Sequence, residues 1–234
     1  MMRKIGFSEA MSSQLIQGDC LEEMKKIPDG SVDLVLTDPP YGMDFQSARR
    51  TDKSQWKPKI ANDKQPFIWF IHEAAKKLKV GGALVSFCRF DSWNDFSRAC
   101  ELAGLEVKAE IVWDKMTHGT GDLKGCPGFR HEIAVFAVKG RFIFHGKRPQ
   151  SLYATPRVNP SSLLHPNEKP VALMEWLINH YCPEDGTVLD CFTGVSPVGV
   201  ACKNLNRNFI GIELDKDYFE IAKKRIEETP ERLL

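Results

Sequence analysis

The sequence predicts an α/β protein built on a parallel central sheet. Short apolar runs of strand length alternate with segments whose apolar residues recur at helical spacing, and this alternation is typical of βαβ units. The chain has 234 residues, of which 42% are hydrophobic and 27% are charged. Those values are typical of a globular domain with a buried core, so we expect a single domain over residues 1–234.

Seven apolar runs are predicted to form the strands, because most of them are bounded by glycine, proline or polar turn residues. In chain order they cover residues 15–16, 32–36, 83–87, 107–113, 133–138, 187–189 and 209–212. We expect the runs at 107–113 and 133–138 to form a pair of strands joined by a long loop that contains glycine.

Five segments with apolar residues at helical spacing are predicted to form the helices. They cover residues 66–79, 92–103, 169–181, 197–204 and 217–228. Suitable boundary residues support two of them: Pro66 begins the first and Gly81-Gly82 ends it, while Asp91 caps the second and Gly104 ends it. Residues 140–165 show little periodicity, and loops of this length in a compact domain are usually functional.

The most informative motif follows the second predicted strand, where residues 37–42 are Thr-Asp-Pro-Pro-Tyr-Gly. Asp38 and the carbonyl group of Pro39 can each accept a hydrogen bond from one exocyclic amine. Pro39 and Pro40 stiffen the turn and remove backbone donors, and Tyr41 offers an aromatic face on which a planar ring can stack. The motif therefore favours a site that holds an amino-bearing ring flat over a simple proline-rich turn.

A second candidate site lies near the C-terminal end of the chain. Residues 188–199 are predicted to form a strand, a tight turn containing Gly194 and a helix, and Glu213 follows nineteen residues after Gly194. This spacing is typical of a nucleotide-type βαβ unit, in which the acidic residue binds ribose hydroxyl groups.

Ser196 stands where such a unit usually has its second glycine. Ser196 and Pro197 form a good helix start, with a capping hydroxyl group and a proline at the first helical position. Two outcomes stay open: unchanged cofactor binding with the hydroxyl group pointing away, or weakened affinity. An NAD-like cofactor is disfavoured, because Pro197 removes one N–H from the helix terminus and the Asp38 motif suits an amine.

Together with His165-Pro166-Asn167-Glu168-Lys169-Pro170, these two motifs closely resemble the β-class amino-methyltransferases of DNA. Members of that class transfer a methyl group from S-adenosylmethionine to the exocyclic amine of adenine or cytosine. Their motif order is circularly permuted, with Asp-Pro-Pro-Tyr first and the cofactor motif last, and this chain has the same order. The resemblance covers residues 18–226 and implies a Rossmann-like class I methyltransferase sheet, with the first strands beside the last.

The resemblance implies a role for each residue of the two motifs. The implied catalytic residues are Asp38, Pro39, Pro40 and Tyr41. The implied cofactor-binding residues are Asp19 near the adenine, Glu213 at the ribose, Asp190, Phe192 and Gly194 beside the methionine part, Lys169 beside the same pocket, and Ser196 in the turn. Because the motif contains Asp38 where cytosine-N4 enzymes more often have serine, the resemblance favours adenine-N6 methylation. Cytosine-N4 methylation and a DNA-binding homologue with impaired catalysis are the alternatives.

Double-stranded DNA is the partner that the resemblance implies. Two loop-like segments rich in Lys and Arg support phosphate contacts, although such segments also occur as solvated faces. The candidate DNA contacts are Arg49, Arg50, Arg130, Lys147 and Arg148. Target recognition is expected from residues 44–65 and from an inserted segment at 115–165, with Gln46, Asn62, Arg130 and Asn159 as candidate base contacts. Phe142, Phe144 and Tyr153 either pack this loop or fill the gap left by a flipped base.

The cellular setting is predicted from what the sequence lacks. Its seven cysteines form no CxxC pair, and neither a signal peptide nor a membrane-length apolar stretch is visible, so we expect a reduced, cytoplasmic protein. No metal is expected, because the spacing of His118, Cys126, His131 and His145 matches no zinc template. The sequence leaves a homodimer and a cognate restriction enzyme open as further partners.

Overall fold

The computed structural model describes residues 12–41, 65–118, 124–159, 161, 163–164 and 168–230. The strands in this part of the chain are β1 Ser13–Gln17, β2 Val32–Thr37, β3 Leu78–Cys88, β4 Glu106–Asp114, β5 His131–Val138, β6 Leu152–Ala154, β7 Thr187–Asp190 and β8 Asn208–Glu213. The helices are α1 Cys20–Glu23, α2 Phe70–Lys77, α3 Trp93–Leu102, α4 Val171–Tyr181, α5 Pro197–Asn204 and α6 Lys216–Glu228, and a 3₁₀ turn at Met24–Lys26 follows α1.

The strands form one sheet in the order β1-β8-β7-β2-β3-β5-β4-β6. All neighbouring pairs are parallel except β5, which runs antiparallel to both β3 and β4. The prediction of a parallel sheet is therefore wrong at β5, since β4 and β5 form a hairpin in which Asp114 pairs with His131. Their pairing confirms the predicted strand pair, and β1 beside β8 confirms that the first strand lies next to the last.

Helices cover both faces of the sheet. Successive side chains of a strand point to opposite faces, and apolar side chains on each face pack against helices. Leu34 and Leu36 of β2 belong to the buried cluster that includes α4 and α5 residues. Val35, between them, belongs to the cluster that includes α2 and α3 residues. A β2 strand that is apolar on both faces is typical of a central strand in an α/β protein.

The elements differ from the sequence predictions in several places. Helix α2 ends at Lys77, and Gly81-Gly82 lie inside β3 instead of ending the helix. The reason is that Gly81, with φ of +90°, donates its N–H to the Lys139 carbonyl and so continues the strand pairing with the neighbouring chain segment. Ser92, not Asp91, immediately precedes α3, and the Asp91 carboxylate accepts a hydrogen bond from Arg89. Helix α1 and strand β6 were not predicted from the sequence.

None of the described helices has both the length and the apolar character needed to cross a membrane.

Candidate active site

Strands β2 and β7 lie side by side and parallel, so their C-terminal ends meet at the same edge of the sheet. Thr37, the last residue of β2, donates a hydrogen bond of 2.7 Å from Oγ1 to Oδ1 of Asp190, the last residue of β7. Both side chains are buried. This bond joins the Asp38 motif to the second motif, which lies more than 150 residues further along the chain and was recognised separately in the sequence.

The turn that follows β2 is held by contacts to the chain ahead of α2. Phe67 donates its N–H to the Pro40 carbonyl at 3.0 Å, and Tyr41 forms an isolated bridge with Pro66. The Tyr41 hydroxyl group donates a hydrogen bond to Oδ1 of Asp38. The stiff turn expected from the two prolines is therefore built, and its carboxylate faces the edge at which β2 and β7 end.

The buried Lys169 ammonium group occupies the centre of a chain of partly buried charges. It contacts Oδ2 of Asp38 and lies 3.2 Å from Oε2 of Glu132, while Lys115 lies 3.3 Å from Oε1 of Glu132. Only 5% of the Lys169 side chain is exposed. A buried ammonium group is stable only when it is paired, so the two carboxylates are the reason that Lys169 can lie there.

These contacts set the direction of each pKa shift. Burial disfavours the ammonium form of Lys169, but the charges of Asp38 and Glu132 outweigh it and raise the pKa of Lys169. Burial likewise opposes ionisation of Glu132, but Lys169 and Lys115 outweigh it and lower the pKa of Glu132. For Asp38 burial is the larger effect, and its pKa rises to about 6 even though Lys169 acts to lower it.

Glu213 is the last residue of β8, which pairs with β7 on the side opposite β2. Its carboxylate accepts a hydrogen bond from the turn after β7. It accepts the Gly194 N–H at 2.7 Å on one oxygen and the Asp215 N–H at 2.8 Å on the other. Asp19 lies at the same edge, since Gln17 of β1 pairs with Glu213, and its carboxylate caps α1 by accepting the Leu21 N–H. The edge thus presents Asp19, Asp190 and Glu213 at or just beyond the C-terminal ends of three neighbouring strands, where ligands of α/β sheets usually bind.

Asp190 and Phe192 occupy the turn between β7 and α5. Asp190 accepts bonds from Thr37 and from the Phe192 N–H, and both reach Oδ1. Burial raises the pKa of Asp190 to about 7, although these two bonds act to lower it. The Phe192 ring packs edge-on against Phe67 and Phe70, with centroids 5.7 and 5.1 Å away. A buried acid with so high a pKa is suited to a cationic ligand, which would favour its charged form.

Ser196 does not cap α5, which corrects the sequence prediction. Its backbone is left-handed, with φ of 59° and ψ of 51°, and no hydrogen bond runs from its side chain to the helix. Its buried hydroxyl group has no hydrogen-bond partner among the described residues, and it points at Gly199, where a Cβ atom would clash with it. The hydroxyl group therefore points into α5, and the backbone keeps the conformation that glycine adopts readily.

The predicted DNA contacts are placed in different parts of the molecule. Arg130 lies at the edge where β2 ends and bonds to both oxygens of Asp114, at 2.7 and 2.8 Å. Lys147 and Arg148 are exposed on the segment that returns from the opposite end of β5 towards β6. Arg49 and Arg50, with Gln46 and Asn62, fall outside the described residues.

The aromatic residues of the inserted segment mainly pack the fold. Phe142 and Phe144 lie against Phe136 and Tyr181, and Tyr153 stacks on Trp176 with ring centroids 4.8 Å apart. Of the two predicted roles for these rings, the packing role is the one that the structure shows. The candidate base contact Asn159 accepts hydrogen bonds from the backbone and the side chain of Ser161.

The sequence assigned no role to two residues of the site, Thr37 and Glu132. Thr37 was included in the motif, but its bond depends on which strand pairs with β2. Glu132 is an acidic residue at the start of an apolar strand, a pattern that usually indicates a solvated strand end. Lys169 was placed beside the cofactor pocket through the family resemblance, and the structure shows its ammonium group bonded to Asp38.

The family model described as DNA methylase matches residues 32–224 of the chain. The protein YubD of Escherichia coli (strain K12), which is named as a methylase, is 32% identical over 220 residues, covering 92% of this chain and 90% of YubD. The DNA adenine methyltransferase YhdJ of the same organism is 27% identical, covering 91% of this chain and 82% of YhdJ.

Two solved structures share the fold. M1.HpyAVI in complex with SAM is 29% identical and superposes with a TM-score of 0.73, covering 92% of this chain and 98% of M1.HpyAVI. The cytosine-N4-specific PvuII DNA methyltransferase also has a TM-score of 0.73, covering 92% of this chain and 86% of its own, but is only 17% identical. The sheet is thus that of the class I methyltransferases.

The matched span includes the Asp38 turn, Lys169 and the Gly194 turn, and the chain belongs to the DNA methylase family.

Replacing Ser196 with glycine is expected to stabilise the protein. The change relieves a left-handed backbone, worth about 1–2 kcal/mol, and removes a buried unpaired hydroxyl group, worth about 1–3 kcal/mol. A more flexible unfolded chain offsets about 0.4–1 kcal/mol of this. We expect a net gain of about 1–4 kcal/mol in the free energy of unfolding, measured by urea denaturation. Ser196→Ala keeps the backbone strain and serves as the control, with a smaller gain; a less stable Ser196→Gly variant would contradict the strain argument.

Replacing Glu132 with glutamine is expected to destabilise the protein by about 2 kcal/mol at pH 7.5, because Lys169 keeps only one of its two carboxylate partners. Since the pKa of Glu132 is lowered in the folded state, its stabilising contribution is present above about pH 4.5 and is lost as the pH falls through the lowered pKa. Urea denaturation at pH 7.5 and pH 4 measures this difference.

The matched control for Glu132→Gln is Glu106→Gln. Glu106 pairs with Lys108 at 2.6 Å, but both side chains are exposed, so the expected loss is below about 1 kcal/mol. Equal losses for the two variants would show that the buried position of Lys169 does not depend on Glu132.

Proposed function

We propose that this protein is a DNA adenine-N6 methyltransferase, which transfers the methyl group of S-adenosylmethionine to the exocyclic amine of a flipped adenine. The observation on which the proposal rests is the Thr37–Asp190 bond, which joins an acceptor-rich turn for an amine to the acidic edge of a nucleoside site. Donor and acceptor of the methyl group would thus meet where β2 and β7 end. The identity to YhdJ, a DNA adenine methyltransferase, supports adenine as the target base.

The residues at the ends of β1, β7 and β8 suit S-adenosylmethionine. That cofactor has a sulfonium and an ammonium cation and two ribose hydroxyl donors, and the edge supplies carboxylates. In the proposal Glu213 binds the ribose, Asp19 lies near the adenine, and Asp190, Phe192 and Gly194 border the methionine part. Burial raises the pKa values of Asp190 and Glu213, so a bound cation would favour their ionised forms. The cofactor supplies the electrophilic methyl group.

Ser196 is compatible with this cofactor site. Its hydroxyl group lies against Gly199 inside the helix start, away from the surface of the Gly194 turn. The impaired, non-catalytic alternative was motivated by a side chain obstructing the cofactor, so this placement weakens that alternative.

Asp38 and the Pro39 carbonyl group would hold the amine of the flipped base. The nitrogen lone pair is delocalised into the ring, and accepting both N–H groups draws it towards tetrahedral geometry and stabilises the developing positive charge. Because the pKa of Asp38 is about 6, its carboxylate is mainly ionised above pH 7 and can accept. Lys169, bonded to Oδ2 of Asp38, would fix the orientation of that carboxylate.

Tyr41 would give up its hydrogen bond to Asp38 and gain a stacking contact when the base enters. In the structure its hydroxyl group donates to Oδ1 of Asp38, the position that an amine N–H would take. Stacking of the base on the ring is worth about 1–3 kcal/mol and would offset part of the cost of flipping, which is a few kcal/mol. Six of the seven cysteines are buried and none is needed, because direct transfer forms no covalent enzyme intermediate.

Double-stranded DNA is the proposed substrate, and residues 115–165 are the proposed target-recognition segment. Arg130 is the best-placed of the proposed phosphate contacts, since it lies at the edge that presents Asp38 and 58% of its side chain is exposed. Lys147 and Arg148 would contact more distant phosphates, and Arg49 and Arg50 keep the role proposed from the sequence. Cytosine-N4 methylation is the second candidate, supported by the shared fold of the PvuII enzyme.

The test is methyl transfer from labelled S-adenosylmethionine to mixed-sequence plasmid DNA, followed by nucleoside mass spectrometry and mapping of the methylated site. We expect N6-methyladenine. Asp38→Ala should abolish turnover while cofactor affinity stays largely intact, because Asp38 contacts the base and not the cofactor. Tyr41→Trp should retain activity and Tyr41→Ala should lose most of it. N4-methylcytosine would overturn the base assignment, and normal turnover by Asp38→Ala would overturn the mechanism.

The affinity for S-adenosylmethionine is expected to fall about tenfold between pH 7 and pH 5.5, as Asp190, with a pKa of about 7, becomes protonated and stops attracting the cofactor cations. Calorimetric titration of the protein with the cofactor at each pH measures this. Asp190→Asn should bind more weakly at pH 7 and show a flatter pH dependence. The same pH dependence in both proteins would mean that Asp190 does not contact the cofactor charges.

A further inference from the structure

Two phenylalanine rings form an exposed stacked pair at the edge of the sheet that presents Asp38. Phe90 is 59% exposed and Phe129 is 44% exposed. Their ring centroids lie 5.2 Å apart with an interplanar angle of 19°. We call Phe90 and Phe129 the phenylalanine pair. Two large aromatic side chains that contact each other while facing water leave apolar area unburied, which is typical of an interaction site.

Strand register places the phenylalanine pair beside the catalytic turn. Thr37 of β2 pairs with Ser86 of β3, so the end of β3 lies level with Asp38 and Phe90 follows just beyond it. Cys88 at the end of β3 pairs with Ile133 near the start of β5, and Phe129 comes just before that strand. Since the target amine must reach Asp38, DNA has to approach the edge where both rings are exposed.

Each ring has an arginine as its neighbour in sequence. Arg89 lies 2.7 Å from Asp91, and Arg130 lies 2.7 Å from Asp114. Arg130 is well exposed and Arg89 about one-third exposed, and ion pairs this accessible to solvent contribute little stability. Arginine binds phosphate in a bidentate geometry, so a phosphate can compete for either side chain. Aromatic rings flanked by arginine are suited to stack on bases while the charges bind the backbone.

We propose that the phenylalanine pair inserts into duplex DNA beside the target position and fills the space that the flipped base leaves. This inference rests on the proposed function and identifies the part of the protein that stabilises the flipped state. Filling the gap restores stacking to the neighbouring base pairs, which otherwise lose it when the base moves to Tyr41. The pair takes the role that the sequence had offered to Phe142, Phe144 or Tyr153, whose rings are packed within the fold.

The experiment compares two synthetic duplexes that carry the methylated site mapped in plasmid DNA. One has the normal base opposite the target adenine. The other has a pyrene nucleoside there, whose ring fills the space of a base pair and displaces the adenine. Single-turnover methylation by Phe90→Ala, Phe129→Ala and the double variant is measured on both, with Phe90→Leu and Phe129→Leu as variants that keep apolar volume without a planar ring.

On the normal duplex the alanine variants should lose activity by about tenfold or more, in keeping with the loss of base stacking, and the leucine variants should also be impaired. On the pyrene duplex all of them should recover to near the wild-type rate, because the DNA supplies its own filling group. Val80→Ala is the matched control: Val80 is 83% exposed but lies at the other end of β3, so its removal should change neither rate.

Three results would overturn the inference. Wild-type rates of the double variant on the normal duplex would show that the pair does not contact the flipped-out position. A loss that pyrene does not restore would indicate a general folding or binding role. A change of oligomeric state in light scattering, with normal methylation, would assign the pair to an interface between two copies of the chain. In each case wild-type methylation of the normal duplex would leave the proposed function standing. The proposed function itself would be refuted earlier, if the wild-type protein methylated no base in plasmid DNA and no site could be mapped.

Discussion

The pairing of β2 with β7 is the constraint on which the rest of this structure depends. The two strands come from opposite ends of the chain, yet the Thr37–Asp190 bond holds their C-terminal ends together in the core. A side-chain bond between two fully buried polar groups tolerates little displacement, since either group would be left unpaired in an apolar medium. The Asp38 turn and the acidic edge that includes Asp190 and Glu213 are therefore fixed relative to each other before any ligand binds.

Ionisable groups whose charged forms are disfavoured by burial lie on both sides of that bond. Asp38 is partly buried and Asp190 is buried, both have raised pKa values, and Lys169 is a buried ammonium group that needs two carboxylates. None of these groups stabilises the folded protein when it is ionised and unpaired. In the proposed function, a cationic cofactor would favour the ionised form of Asp190, and the amine of the base would donate a hydrogen bond to Asp38. The Lys115–Glu132–Lys169 contacts also connect Lys115, at the start of the proposed target-recognition segment, to the Asp38 carboxylate. In the proposed function, one network of charges would therefore serve both substrate recognition and catalysis.

The two turns of the site differ in how they obtain their shape. The Asp38 turn is stiffened by two consecutive prolines and by the Phe67 bond to Pro40, so local chemistry explains most of it. The Gly194 turn contains a serine in a left-handed conformation and is held by Glu213 and by Arg225, which donates to the Val195 carbonyl at 3.0 Å and pairs with Glu168. Contacts from residues distant in sequence therefore hold Ser196 in a left-handed backbone conformation that serine rarely adopts.

The sequence by itself determined the α/β class, nearly all of the elements and the two motifs, because strand and helix periodicity and proline and glycine positions are local properties. It did not determine that β5 is antiparallel, that Gly81-Gly82 continue a strand, that Lys169 lies on Asp38, or that Phe90 stacks on Phe129. Each of these depends on which segments become neighbours in space. Such neighbours are chosen by the packing and burial of the whole sheet, and no short stretch of sequence contains that information.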